Sequence, residues 1–184
     1  MESVEKNTAR LIVTFKCPKS CSYCINHQVD VVSNAIEISD VEALAAFPIV
    51  CITGGEPLIK ARAVINIARI LKDITPDIKI YMYTAAYNFA YAEDLIRVID
   101  GITFTLHRGT TAKDIHNLER WQEIIGPRCD VLSCNLNIDG GILTSLPIIP
   151  AFWKRIQIKR WYTGNEAYIC ENEQLFVLRE EEGD

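Results

Sequence analysis

The sequence holds no apolar run long enough to span a bilayer; the longest, around residues 78–92, is interrupted by Lys79 and Asn88. Its first residues, Met-Glu-Ser-Val-Glu-Lys-Asn, contain no apolar signal core, so a cytoplasmic location with no membrane contact is expected. An excess of basic residues is missing as well. With a net charge of −5 and a pI near 5.3, there is no global positive field of the kind that recruits nucleic acid, which is not expected as a partner. Neither a repeat of fixed period nor a linker is present, and with 49% hydrophobic residues over 184 positions the chain can bury one core. It reads as a single domain, with its core at about residues 10–160 and a C-terminal extension at about 161–184.

What the sequence does have is a concentration of thiols. Seven cysteines are present, an odd number, and three of them fall in Cys17-Pro-Lys-Ser-Cys21-Ser-Tyr-Cys24. That crowding argues against a secreted disulfide framework and for a metal. A tetrahedral zinc site needs a fourth ligand, which His27 would supply as a Cys3His set. A cubane iron-sulfur cluster can instead be held by three thiolates, with one iron left open for chemistry. Cys51, Cys129, Cys134 and Cys170 are scattered without ligand spacing, and those in strands read as small buried hydrophobes.

The flanking pattern alternates strands and helices. Residues 10–16 (Arg-Leu-Ile-Val-Thr-Phe-Lys) read as the first strand, and residues 26–38 as a loop. Ser39 and Glu42 make a capping box ahead of a short helix stopped by Pro48. Further strands are expected at 49–53, 78–84, 102–107, 131–136 and 155–159. Helices are expected between them at about 60–73, at 91–100, and from a Thr111 cap through Ile125. Residues 168–170 and 175–178 can pair across Glu171-Asn172-Glu173 as a small C-terminal β-hairpin. Six strands separated by helices predict parallel βαβ units in one α/β domain.

Side-chain alternation then predicts a cavity. In the fourth strand Ile102, Phe104 and Leu106 face one way, and Thr103, Thr105 and His107 the other. The fifth separates Leu132, Cys134 and Leu136 from Ser133, Asn135 and Asn137, and the sixth separates Ile156 and Ile158 from Gln157, Lys159 and Trp161. Strands buried on both faces would be apolar throughout. The polar faces therefore point to a ligand cavity near the carboxyl ends of the strands. His107 with Arg108 suits proton transfer, retention of an acidic substrate, or plain hydrogen bonding. The basic group Lys154, Arg155, Lys159 and Arg160, beside Trp153 and Trp161, reads as a solvated edge, with an anionic substrate or a nucleic-acid backbone as the alternative.

The three cysteines, Tyr23 just before the last of them, and Thr53-Gly-Gly-Glu-Pro57 together resemble the radical S-adenosylmethionine superfamily. The resemblance implies a parallel (βα)6 partial barrel, an incomplete version of the TIM barrel. It also implies a 4Fe-4S cluster on Cys17, Cys21 and Cys24, whose open iron is chelated by S-adenosylmethionine. Tyr23 would contact the adenine, and Gly54, Gly55 and Glu56 would receive the methionyl amino group. Thr105, Asn135 and Asn137 would serve as ribose and carboxylate contacts, with His107 as the candidate catalytic residue. Reductive cleavage of the cofactor would yield methionine and a 5′-deoxyadenosyl radical that abstracts hydrogen from a small-molecule or peptide substrate, the electron coming from a reductant such as flavodoxin or ferredoxin. Two other readings stand beside it: an activating enzyme of the glycyl-radical activase type, acting on a partner protein, and a non-enzymatic zinc or iron-sulfur binding module.

Overall fold

The computed structural model describes residues 5–27, 29–160 and 170–179. In chain order its regular elements are β1 (Thr8–Ile12), α1 (Val29–Val32), β2 (Ile36–Ile38), β3 (Ile49–Thr53), α2 (Ala61–Ile74), β4 (Lys79–Thr84), α3 (Ala92–Val98), β5 (Gly101–Leu106), α4 (Ala112–Ile125), β6 (Asn135–Asp139), β7 (Arg155–Lys159) and β8 (Glu173–Leu178). The eight strands of the described residues run parallel in one open sheet of order β2-β8-β1-β3-β4-β5-β6-β7. Parallel neighbours need crossovers, and α2, α3 and α4 supply them between β3 and β6.

The helices cover the apolar face. Val64, Ile67, Ala68 and Leu71 of α2, Leu95 and Ile96 of α3, and Leu118, Trp121 and Ile125 of α4 are buried, as are Ile102, Phe104 and Leu106 of β5. Trp121, fully buried, keeps its indole N–H satisfied by donating to Ala86 O at 2.7 Å. Gln122 accepts from Ile149 N and Trp153 Nε1 and donates to Pro147 O, which pins the proline-interrupted stretch before β7 onto α4.

Several boundaries differ from expectation. The first strand ends at Ile12: Val13 N still donates to Thr53 O at the end of β3, and beyond it the backbone bonds to the turn after β3, Gly55 N donating to Thr14 O and Glu56 N to Lys16 O. The fifth expected strand starts at Asn135, after a turn through residues 129–131, so Ser133 lies outside it while Asn135 and Asn137 keep their common face. The helix before Pro48 is a 3-10 segment, Val41–Ala46, capped by Asp40 rather than Ser39.

Two segments at one end of the sheet differ from expectation. The expected loop at 26–38 contains α1 and β2, and the C-terminal segment is no hairpin: β8 inserts between β1 and β2, parallel to both. Cys170 lies outside any strand, and residues 168 and 169 of the expected hairpin fall outside the described residues. Two unsatisfied strand edges, on β1 and β2, accept one late strand, and that long-range pairing outweighs the short turn at residues 171–172.

Candidate active site

The cavity lies at the carboxyl ends of the strands and has a volume of about 510 Å³. Its wall brings together Cys17, Cys21 and Cys24 from the loop after β1, Gly54, Gly55 and Glu56 from the turn after β3, and Thr105, His107 and Asn137 from β5 and β6. Asn135 does not line it; it pairs with Thr103, one inward row deeper than Thr105 and Asn137. Of the polar face expected on β7, Lys159 reaches the cavity, Gln157 does not, and Trp161 is outside the described residues.

Local bonds fix the cysteine loop from two sides. Gly54 has φ of +134°, and a Cβ there would lie 2.4 Å from Thr14 O; one on Gly55 would lie 2.1 Å from Lys16 O. The two glycines thus let the turn lie directly on the backbone that enters the cysteine loop. On the other side, Lys19 donates to Asp114 Oδ1 at 2.7 Å. Asp114 also completes the capping box of α4 with Thr111. Burial would raise the Asp114 carboxyl, but the hydrogen bonds from Lys19 and Thr111 outweigh it and hold the carboxyl below its ordinary range.

Glu56 is buried and its carboxylate is heavily engaged: Oε1 accepts from Leu58 N at 3.1 Å and Thr84 Oγ1 at 2.7 Å, and Oε2 from Ala85 N at 2.9 Å. Burial pushes its pKa up against those bonds. It therefore bolts the turn after β3 to the end of β4 as well as facing the cavity.

Tyr23 and His107 form a pair, with Oη 2.9 Å from Nδ1 and ring centroids 5.9 Å apart. Burial, then the charge of Lys19, lowers His107 to about 4, so the imidazole is neutral near pH 7. Burial also raises the Tyr23 hydroxyl. In the tautomer protonated at Nε2, the phenol donates to Nδ1. Asp139, at the end of β6, is fully buried; its Oδ1 accepts from Gly141 N at 2.7 Å and lies 3.6 Å from Arg108 Nε, while Oδ2 has no partner among the described residues.

The donor set suits a cluster. All three thiols are free, Cys17 exposed and the other two half-buried. Burial raises Cys17 and Cys21, and the neighbouring Cys24 adds to the rise, so the loop needs a cation to hold three thiolates together. A lone zinc needs a fourth ligand beside the three thiolates, whereas a cubane cluster can be held by three thiolates alone. His27, the fourth ligand of the zinc reading, is exposed and does not line the cavity.

Sequence reading missed Arg10, Lys19, Tyr83 and Cys170 as cavity residues. Arg10 could have been flagged as a charge inside an otherwise apolar strand; it is held by Glu173 through bonds of 2.8 Å to each carboxylate oxygen and lies over the Tyr83 ring at 5.1 Å. Among the described residues no helix is long and apolar enough to cross a membrane.

The family described as "4Fe-4S single cluster domain" matches residues 8–122, which include the cysteine loop and the Gly-Gly-Glu turn. No curated protein matches the chain. Among solved structures it is similar to BtrN in complex with AdoMet and 2-DOIA, with a TM-score of 0.51 and 18% identity over 74% of this chain. The likeness is one of fold, and the chain spans 58% of BtrN's length. By the family match and the motifs it covers, the chain belongs to the 4Fe-4S single cluster domains and, with them, to the radical S-adenosylmethionine superfamily.

Proposed function

We propose that the chain is a radical S-adenosylmethionine enzyme in which Cys17, Cys21 and Cys24 hold the cluster and the adjoining cavity receives S-adenosylmethionine together with a small-molecule substrate. One observation carries this reading: the cysteine loop and the Gly-Gly-Glu turn, apart in sequence, line one cavity and are strapped together by backbone bonds. When bound, the two cofactors supply reductive scission of a carbon-sulfur bond, and with it an oxidant strong enough to break a C–H bond.

The chain's own residues bind, orient and exclude water. Gly54 and Gly55 expose backbone to the cofactor's amino acid end, and Glu56 offers negative charge beside it. Tyr23, positioned by its hydrogen bond to His107, presents an aromatic edge next to Cys24. Thr105 and Asn137 offer a hydroxyl and an amide from adjacent strands. Neutral His107 fixes Tyr23 through its Nδ1. The electron comes from a reductant such as flavodoxin or ferredoxin. The cavity volume falls in the range of about 300–1,000 Å³ used for small ligands, which favours a small molecule over the backbone of a partner protein.

Anaerobic reconstitution tests the proposal. Wild type should bind iron, show a visible absorption band and form 5′-deoxyadenosine under strong reduction. Cys17→Ala, Cys21→Ala and Cys24→Ala should each lose cluster iron and product, while Cys134→Ala, in the core, keeps both. Product formation at the wild-type level by any of the three variants would refute the ligand assignment.

A further inference from the structure

Among the described residues three cationic side chains line the cavity, and two of them are already neutralised. Arg10 is paired with Glu173 and Lys19 with Asp114, each across a short contact. The third is Lys159, at the carboxyl end of β7. Its ammonium makes no hydrogen bond or ion pair among the described residues, while its backbone carbonyl accepts from Gly140 N. Its cross-strand neighbour Asp139 directs one carboxylate oxygen to Gly141 and Arg108 instead. Glu56, the acidic residue of the lining among the described residues, is engaged by Leu58, Thr84 and Ala85 around the ends of β3 and β4.

Lys159 is also half-buried, and its ammonium is made less favourable first by burial and then by the charge of Arg155. A partly desolvated cation without a counterion is costly, and an anion entering the cavity relieves that cost. One register row before it Asn137 pairs with Thr105, so β5, β6 and β7 offer a hydroxyl, an amide and an ammonium to the same cavity. Such donors are complementary to an oxyanion.

We infer that Lys159 anchors a carboxylate or phosphate group of the substrate, making the enzyme's substrate a small anion. The inference rests on the radical-enzyme reading for the presence of a substrate, while its charge argument comes from this cavity alone. Two carriers of the same chemistry could meet Lys159: the substrate, or the methionyl carboxylate of S-adenosylmethionine.

Calorimetric titration of the reconstituted, S-adenosylmethionine-loaded protein at low ionic strength separates them, with inorganic phosphate and acetate as probes and acetamide as the neutral control. Wild type should bind phosphate or acetate and not acetamide. Lys159→Arg should stay within about threefold of wild type, and Lys159→Met should bind at least tenfold more weakly. S-adenosylmethionine affinity should be equal in all three proteins. Absence of anion binding by wild type, or equal binding by Lys159→Met, overturns the inference. A tenfold loss of S-adenosylmethionine affinity in Lys159→Met also overturns it, by assigning the charge to the cofactor. Lack of 5′-deoxyadenosine from wild type would sink the radical reading separately, since the anion titration does not depend on turnover. Circular dichroism and iron content confirm that each variant is folded and loaded.

Discussion

Gly54 combines a backbone conformation that L side chains rarely adopt with no room for a side chain, since its φ is +134° and a Cβ would stand 2.4 Å from the Thr14 carbonyl oxygen. Strain at such a position costs about 1–3 kcal/mol before any clash is counted. Gly54→Ala is therefore expected to lower the urea midpoint by at least that equivalent, and also to lower iron retention, because the displaced Thr14 segment leads into the cysteine loop. A variant with wild-type midpoint and iron content would show that the turn does not brace the loop. This part of the site was legible in the sequence because its residues are consecutive: Cys17 to Cys24 and Thr53 to Pro57 each form a contiguous pattern. Lys19 and Arg10 were not, since their meaning lies in Asp114 and Glu173, 95 and 163 residues away. Glu56 was half legible. Its presence at the cavity was expected, but its bonds to Thr84 and Ala85 depend on where β4 ends.

At the scale of elements, Asp100 joins three of them. It precedes β5, accepts from Ile80 N of β4 at 2.9 Å, and accepts from Lys72 Nζ of α2 at 2.7 Å, with Lys79 3.4 Å away. Burial would raise its carboxyl, yet the hydrogen bonds from Lys72 and Ile80 and the charges of both lysines hold it below the ordinary value. A carboxyl depressed in the folded state binds its proton more readily when unfolded. Its stabilisation is therefore complete above the ordinary carboxylate pKa of about 3.9 and is lost as pH falls through the lower folded value. Acid unfolding of Asp100→Asn should accordingly show a shallower loss of stability below about pH 4 than wild type, with lower stability at neutral pH. Identical acid transitions in the two proteins would rule Asp100 out as a titrating clamp. The elements that meet at Asp100 were foreseen, because β4, α2 and β5 carry strong apolar periodicity. The strand β2, with only Ile36, Glu37 and Ile38, carries no such signal, and it exists because β8 lies beside it.

On the scale of the whole molecule, the last described strand closes onto the first. β8 pairs along the full length of β1, and the Arg10 to Glu173 bond ties the two strands together on the cavity side. Both side chains are largely buried, with relative exposures of 15% and 10%. Burial works against the Arg10 cation, but Glu173 and the neighbouring Tyr83 and Cys51 more than compensate and raise its pKa. Removing one member of a buried pair strands the other charge and costs about 3–5 kcal/mol, a large part of the roughly 5–15 kcal/mol that holds a domain folded. Glu173→Gln should thus be strongly destabilised in urea unfolding. The double variant Arg10→Met, Glu173→Leu should recover most of the loss, because no unpaired charge remains under Tyr83. If the single variant lost less than about 1 kcal/mol, within the range of an exposed pair, Arg10 would be reaching solvent through the cavity, and its charge would then be available to a ligand alongside that of Lys159. The same pair of variants therefore measures how the C-terminal strand is held and whether Lys159 is the cavity's uncompensated cation.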